Sequence, residues 1–431
     1  MNMASATRAV IDRKATDSMI DQVFVSGLNF IVGIVAARLL GVADFGTFTL
    51  ILMISSVTST VQSHLLCTPM MTLAGLRAAR APGYFAGIWR LGAAVSAASG
   101  LAVALAMGGI FFLRGDPVDA GLLAAGAFAT LAQNQQIVLR RIRFAEHQGR
   151  SAVMMDVIRF AAMLAVGGAF ALLGVEFDAA SVLWLLGLSA LAAVLPAGLR
   201  LSATRTRQRM VRATIRRHWP LSRWMLLLFA VSVGQEQIIW IVTGIQLGDE
   251  AVGGLRAGQY LLGASHFILH AMENFVPNRA AEHLRLGGRP ALTQYLVHQT
   301  LVLGGAMLAL ILVLGVFATL AVRVVFGEDY VRFAAITGIM AVAYGATVIR
   351  SIWVHYLRAI ENARSIFLAH LASSVTGVVL IAPMIGAMGL AGAAWTIAIS
   401  QLVCLAATVI AVALSAREEA RSFRALTESL S

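Results

Sequence analysis

The chain has 431 residues, of which 59% are apolar (AVILMFWYC) and 13% charged, against roughly 25% charged in an ordinary soluble domain. That composition excludes a soluble globular fold, yet 33 basic against 21 acidic residues leave a formal net charge of +12. Lys14, the single lysine, lies in Asp12-Arg13-Lys14-Ala15 with no glycine-rich turn, so a phosphate loop of the ATPase type is excluded too.

Twelve runs of about 20 residues are apolar enough to cross a bilayer. The first two, 19–40 and 45–66, are joined by Ala36-Ala37-Arg38-Leu39-Leu40-Gly41, which suits a helical hairpin better than a cleaved signal peptide. Gln22, Ser26, Asn29 and Gly33 share a face of the first; Ser55, Ser59 and Gln62 share a face of the second. Small and amide side chains are ordinary packing groups between membrane helices, and the serines are read that way, while Gln22 and Asn29 are candidates for a substrate cavity. Runs 85–113, 118–139, 151–174 and 179–201 follow, with Gln133, Gln136 and Arg140 on the fourth and Asp156 and Arg159 spaced for an ion pair on the fifth. Cys67 and Cys404 lie in different apolar regions, in no metal or disulfide pattern.

The arginine-rich stretch 203–220, ending in Pro220, divides the spans into an N-terminal lobe, 1–218, and a C-terminal lobe, 219–431. Run 221–246 carries Gln235-Glu236-Gln237, and a carboxylate at membrane depth is costly enough to make Glu236 a candidate carrier of a coupling proton or sodium ion. Run 252–275 holds Arg256, Gln259, Tyr260, His266, His270, Glu273 and Asn274. On one continuous helix these fall within an arc of about 140° and extend for about 27 Å. Singly they could form a polar seam between helices; as a stripe they suit a hydrated cavity. His266, His270 and Glu273 also have ligand spacing, but without HExxH or a nearby cysteine, and with Arg256 on the same face, no metal site is expected. Runs 294–322, 332–357, 364–384 and 389–415 complete the set, Arg350 and His355 being further cavity candidates on the tenth. Arg38 and Arg358 sit near span ends, where long side chains snorkel.

Arginine is concentrated in alternate gaps. Arg77 and Arg80, Arg140 to Arg150, Arg205 to Arg217, Arg279 to Arg289, Arg358 and Arg364, and Arg417 to Arg424 fall on the side of both termini. The positive-inside rule therefore predicts an even number of spans with both termini cytoplasmic. Most of the +12 charge then lies on cytoplasmic loops, where it fixes orientation and attracts anionic headgroups. The lobes also look related. Leu40-Gly41 with Gly46 recurs as Leu247-Gly248 with Gly253, and Arg143, Glu146, Arg150 and Ser151 recur as Arg358, Glu361, Arg364 and Ser365.

Several segments resemble a known family. Asp21-Gln22 through Asn29-Phe30, Ala37 to Gly41 and Asp44-Phe45-Gly46, then Val325 to Tyr330, Leu357-Arg358-Ala359 and Gly389 to Ala394, are similar to Wzx-type polysaccharide-unit flippases. These belong to the multidrug/oligosaccharidyl-lipid/polysaccharide exporter superfamily. The resemblance implies an all-α integral membrane protein with twelve helices in two six-helix lobes around a central cavity. It would flip a polyprenyl-diphosphate-linked oligosaccharide across a bacterial inner membrane for cell-surface or exopolysaccharide synthesis. It implies no enzyme activity and no cofactor. Partners would be the lipid-linked substrate, membrane lipids, a polysaccharide polymerase and export machinery, and no nucleic acid. Substrate-contacting positions vary in that family, so the candidate site rests on the residues themselves: arginine offers a charged donor fork to phosphate oxygens.

Two other functions compete. A cation-coupled multidrug exporter of the same superfamily should place carboxylates deep in the N-terminal lobe, whereas Asp21 and Asp156 lie near its cytoplasmic ends. A membrane polysaccharide polymerase or ligase commonly uses a large external loop or a metal-binding carboxylate cluster, and neither is present.

Overall fold

The computed structural model describes the backbone of residues 3–73, 82–146, 148–204, 208–263 and 265–430, and side chains over 32–72, 83–146, 148–204, 211–227, 229–230, 233, 237–263, 276–277 and 279–417. Apart from short connections, these residues are helical. In chain order the helices are α1 (Met3–Gln62), α2 (Thr68–Leu73), α3 (Pro82–Arg114), α4 (Ala120–Ala145), α5 (Gly149–Leu172), α6 (Ala179–Ala203) and α7 (Gln208–Leu247). Then come α8 (Asp249–Leu262), α9 (Ser265–Gln299), α10 (Gly305–Val316), α11 (Ala318–Phe326), α12 (Ala334–Ala359), α13 (Ala363–Met388) and α14 (Leu390–Leu430). Eight segments of the described chain are long and apolar enough to cross a bilayer.

Local chemistry sets the ends. Asp119 accepts hydrogen bonds from the Gly121 and Leu122 amides at 2.8 and 3.1 Å, capping α4. Asp178 and Ser181 form a reciprocal capping box on α6, with Ser181 N donating to Asp178 at 2.7 Å and Asp178 N donating to the Ser181 hydroxyl at 2.9 Å. Asn362 accepts from the Ser365 amide at 3.2 Å and starts α13.

Two helices depart from the expected spans. The predicted eighth span, 252–275, is interrupted after α8, where the Gly263 amide closes a turn onto the Tyr260 carbonyl at 2.9 Å. Its seven polar residues therefore do not lie along one continuous helix. The ninth, 294–322, is assembled from the end of α9, a π-helical turn over Thr300–Gly304, α10 and the start of α11. The arginine-rich stretch 203–220 is also helical from Gln208, because α7 runs through Pro220 without a break.

Two compact units are present. One comprises Met1–Arg38, Gly234–Thr243 and Gly254–Ser431; the other comprises Leu39–Val233 and Gly244–Gly253. The unit boundary in α1 falls beside its break at Gly41, whose φ of 69° and ψ of 179° suit glycine alone. In the first unit, Arg38 donates to the carbonyls of Val324 and, at 2.7 Å, Val325, satisfying the last turn of α11, and Tyr330 donates to the Ala37 carbonyl at 2.9 Å. Arg38 is thus a structural cap.

The second unit is centred on Met70, Tyr84, Ile88, Trp89, Val138, Leu139 and Ile142 of α2, α3 and α4. A hydrogen-bonded seam runs through it. Ser96 donates to Gln62 at 3.0 Å, Gln62 donates to the Asn134 carbonyl at 2.9 Å, and Thr130 donates to Ser55 at 3.0 Å. Ser59 donates to Asn134 at 2.5 Å. The expected Asp156–Arg159 pair takes another form: Asp156 pairs with Arg140 at 3.1 Å, and Arg159 donates to Gln133 at 3.4 Å.

The repeated glycine motifs meet within this second unit. Gly248 has φ 82° at the position equivalent to Gly41. A β-carbon on Gly46 would overlap the Asp249 carbonyl, and one on Gly253 would overlap the Val42 carbonyl, so the two helix starts touch backbone to backbone in reciprocal register. Asp249 then receives Thr47 Oγ1 at 2.5 Å and Arg114 Nη1 at 2.7 Å. The Arg114 side chain is only 7% exposed, so removing Asp249 strips a buried cation of its nearest carboxylate. Asp249→Ala should destabilise the protein by about 3 kcal/mol, and the double variant Arg114→Met with Asp249→Ala should recover much of that. Additive losses in a thermal-melting double-mutant cycle would refute the pairing.

Candidate functional site

The best-defined polar group stands on α8. Gly254 and Gly258 lie on one face of that helix, where a β-carbon would strike the Phe333 ring or approach Thr337 Oγ1 at 3.3 Å. This close packing against the Glu328–Phe333 turn and α12 points the opposite face, Arg256, Gln259 and Tyr260, away from α12.

There the Arg256 guanidinium lies 4.7 Å from the Tyr260 ring centroid and 5.8 Å from that of Trp240 on α7. It also donates to Gln259 Oε1. Its Nε is buried and has no hydrogen-bond partner among the described residues. Gly33 of α1 makes room for the Tyr260 ring, since any β-carbon there would collide with it. Among the described residues the cation is held by two aromatic faces and a neutral amide. None of these three partners carries a negative charge, and a guanidinium so placed can still donate to an anion.

A second polar group lies on α12. Arg350 Nη1 is 3.4 Å from His370 Nε2 on α13, and Thr347 donates to Gln401 of α14 at 3.2 Å. His355, 2% exposed, has no hydrogen-bond partner at either ring nitrogen among the described residues. Arg350 Nε is likewise buried without one.

Of the residues singled out from sequence, the structure brings Arg256, Gln259 and Tyr260 together and places Arg350 in a separate cluster beside His370, with His355 buried in α12. The side chains of Gln22, Asn29, Glu236, His266, His270, Glu273 and Asn274 lie outside the described residues. Sequence reasoning missed Trp240, His370 and Gln401, and it named Gly33 only as one of the residues sharing a face of the first span. Trp240 and Gly33 carry no polar signal; His370 and Gln401 are single polar residues in otherwise apolar runs.

No family model and no curated protein sequence matches the chain. Solved structures do. A lipid II flippase, MurJ, in an inward closed conformation has a TM-score of 0.67 at 13% identity, over 91% of this chain and 87% of that one. An inward-facing multidrug resistance MATE family transporter of the MOP superfamily has a TM-score of 0.57 at 13% identity, over 90% of this chain and 93% of that one. A point mutant of the Vibrio cholerae MATE transporter VcmN has a TM-score of 0.53 at 14% identity, over 94% of this chain and 98% of that one. The chain has the all-α fold of these membrane transporters.

Proposed function

We propose that the chain is a flippase that moves a polyprenyl-diphosphate-linked oligosaccharide across the bacterial inner membrane by alternating access. The observation that carries this reading is Arg256, fixed by Trp240, Tyr260 and Gln259 with no carboxylate among these partners. A diphosphate presents oxygens that match the guanidinium fork, and the cation would gain an anionic partner that none of these three residues supplies. Arg350 beside His370 offers a second cationic contact. The like-folded lipid II flippase supports the same substrate class.

The competing exporter reading needs an uncompensated carboxylate for a cationic drug. Asp156 is paired with Arg140, and Asp249 with Arg114. Glu236 remains the proposed carrier of a coupling ion. The test is reconstitution of the purified chain in vesicles with a fluorescent polyprenyl-diphosphate oligosaccharide loaded in one leaflet. Protein-dependent movement to the other leaflet is expected; movement of a cationic dye but not of the lipid would favour the exporter.

Orientation has its own check. The native cysteines, Cys67 and Cys404, are buried, so introduced thiols can be read directly. Cysteine at exposed Glu361 should be labelled only from the cytoplasm, and cysteine at exposed Glu176 only from the periplasm. The reverse pattern would invert the proposed topology.

A further inference from the structure

The first half of α7 has its polarity arranged in an unusual way. Its buried face is polar: Thr214, His218 and Ser222, at i, i+4 and i+8, are between 1% and 4% exposed. His218 Nε2 shares a 3.0 Å hydrogen bond with the Tyr84 hydroxyl, and Ser222 donates to the Leu65 carbonyl at 3.2 Å. Burial holds the His218 pKa below the ordinary histidine value, so this anchor is neutral.

The opposite face is cationic and aromatic. At 100° per residue, Arg212, Arg216 and Arg223 fall within about 40° of one another, opposite the buried stripe. All three are exposed. Trp219 and Trp224 flank them at 53% and 63% exposure, and the Arg223 guanidinium sits 5.5 Å from the Trp224 ring centroid. No acidic residue occurs in the sequence between Asp178 and Glu236.

The order along the helix narrows the partner. From exposed Leu227 toward Arg212, over about 22 Å, this face passes from an aliphatic residue through Trp224, Arg223 and Trp219, where indole and guanidinium interleave, to Arg216 and Arg212. A phospholipid leaflet presents the complementary sequence of acyl chain, interface and phosphate. Soluble proteins and nucleic acids also bind arginine and tryptophan, but this face runs directly into the apolar run 221–246, which places a bilayer surface beside it. We infer that this face of α7 is a binding site for the headgroups of anionic phospholipids, with Arg212, Arg216 and Arg223 on the phosphates and Trp219 and Trp224 in the interface. The inference is independent of the transported substrate.

The test measures energy transfer from tryptophan to pyrene-labelled phosphatidylglycerol or phosphatidylcholine bound to the purified full-length chain in detergent. Each arginine near an anionic surface is worth roughly fivefold in affinity. The wild-type chain should prefer phosphatidylglycerol, and the triple variant R212Q/R216Q/R223Q should lose up to about a hundredfold of that preference. A control variant at exposed Arg323 and Arg332 should keep it, and millimolar inorganic phosphate should not displace the lipid. Equal binding of the two lipids, undiminished preference in the triple variant, or displacement by inorganic phosphate at lipid-equivalent concentration would each overturn the assignment, the last by revealing a free-anion site.

Discussion

Arg256→Ala should slow movement of the lipid-linked oligosaccharide by about ten- to a hundredfold, the worth of one or two charge-assisted hydrogen bonds to a phosphate. The same change should cost only modest stability, about 1–2 kcal/mol for the Trp240 and Tyr260 ring contacts and the Gln259 bond that it gives up. That combination separates a substrate contact from a structural one, whose removal would lower transport only in step with stability. Arg256→Lys keeps the charge but not the donor fork, so its rate should fall between the two. Arg350→Ala should act in the same direction. The assay is the vesicle flipping rate beside a thermal melt of the same preparation. Normal rates in both alanine variants would remove the diphosphate site from consideration. Trp240→Leu tests the clamp: the guanidinium loses one aromatic face, and the rate should drop severalfold with expression unchanged.

Hydropathy read the spans well wherever one straight helix fills one crossing. The predicted limits 85–113, 151–174, 179–201 and 332–357 lie within a few residues of α3, α5, α6 and α12. It failed where a crossing is built from pieces, because a running average of apolarity carries no information about backbone breaks. Gly263 and the π turn at Thr300–Gly304 are such places. The break after α8 matters for the site, since a stripe drawn at 100° per residue presumes one helix axis. Within α8 that reasoning holds, and Arg256, Gln259 and Tyr260 do share a face. Trp240 is another matter. Its role depends on how α7 lies beside α8, a tertiary fact with no polar residue to announce it. The Asp156–Arg140 pair shows the same limit, because spacing along α5 suggested Arg159 while packing of α4 supplied a better-placed guanidinium.

Gly46→Ala and Gly253→Ala should be among the most damaging small substitutions in the chain, at about 3 kcal/mol each, the upper end of overpacking costs. The obstructing atoms are the carbonyl oxygens of Asp249 and Val42, which belong to helix backbone and cannot rotate aside as a side chain would. The helix starts must instead separate, and separation also pulls Asp249 from Thr47 and Arg114. Because either substitution opens the same seam, the double variant should cost clearly less than the sum of the two singles. Gly109→Ala is the control. Its β-carbon meets nothing within 4 Å inside α3, so it should be neutral or stabilising by up to about 1 kcal/mol through helix propensity. Thermal melts of the four purified variants decide the matter, and a Gly46→Ala protein as stable as the Gly109→Ala control would show that the two glycine motifs do not meet. The reciprocal register gives this test its reach: Gly46 touches Asp249 as Gly253 touches Val42, so the two single variants should show a matched pair of losses.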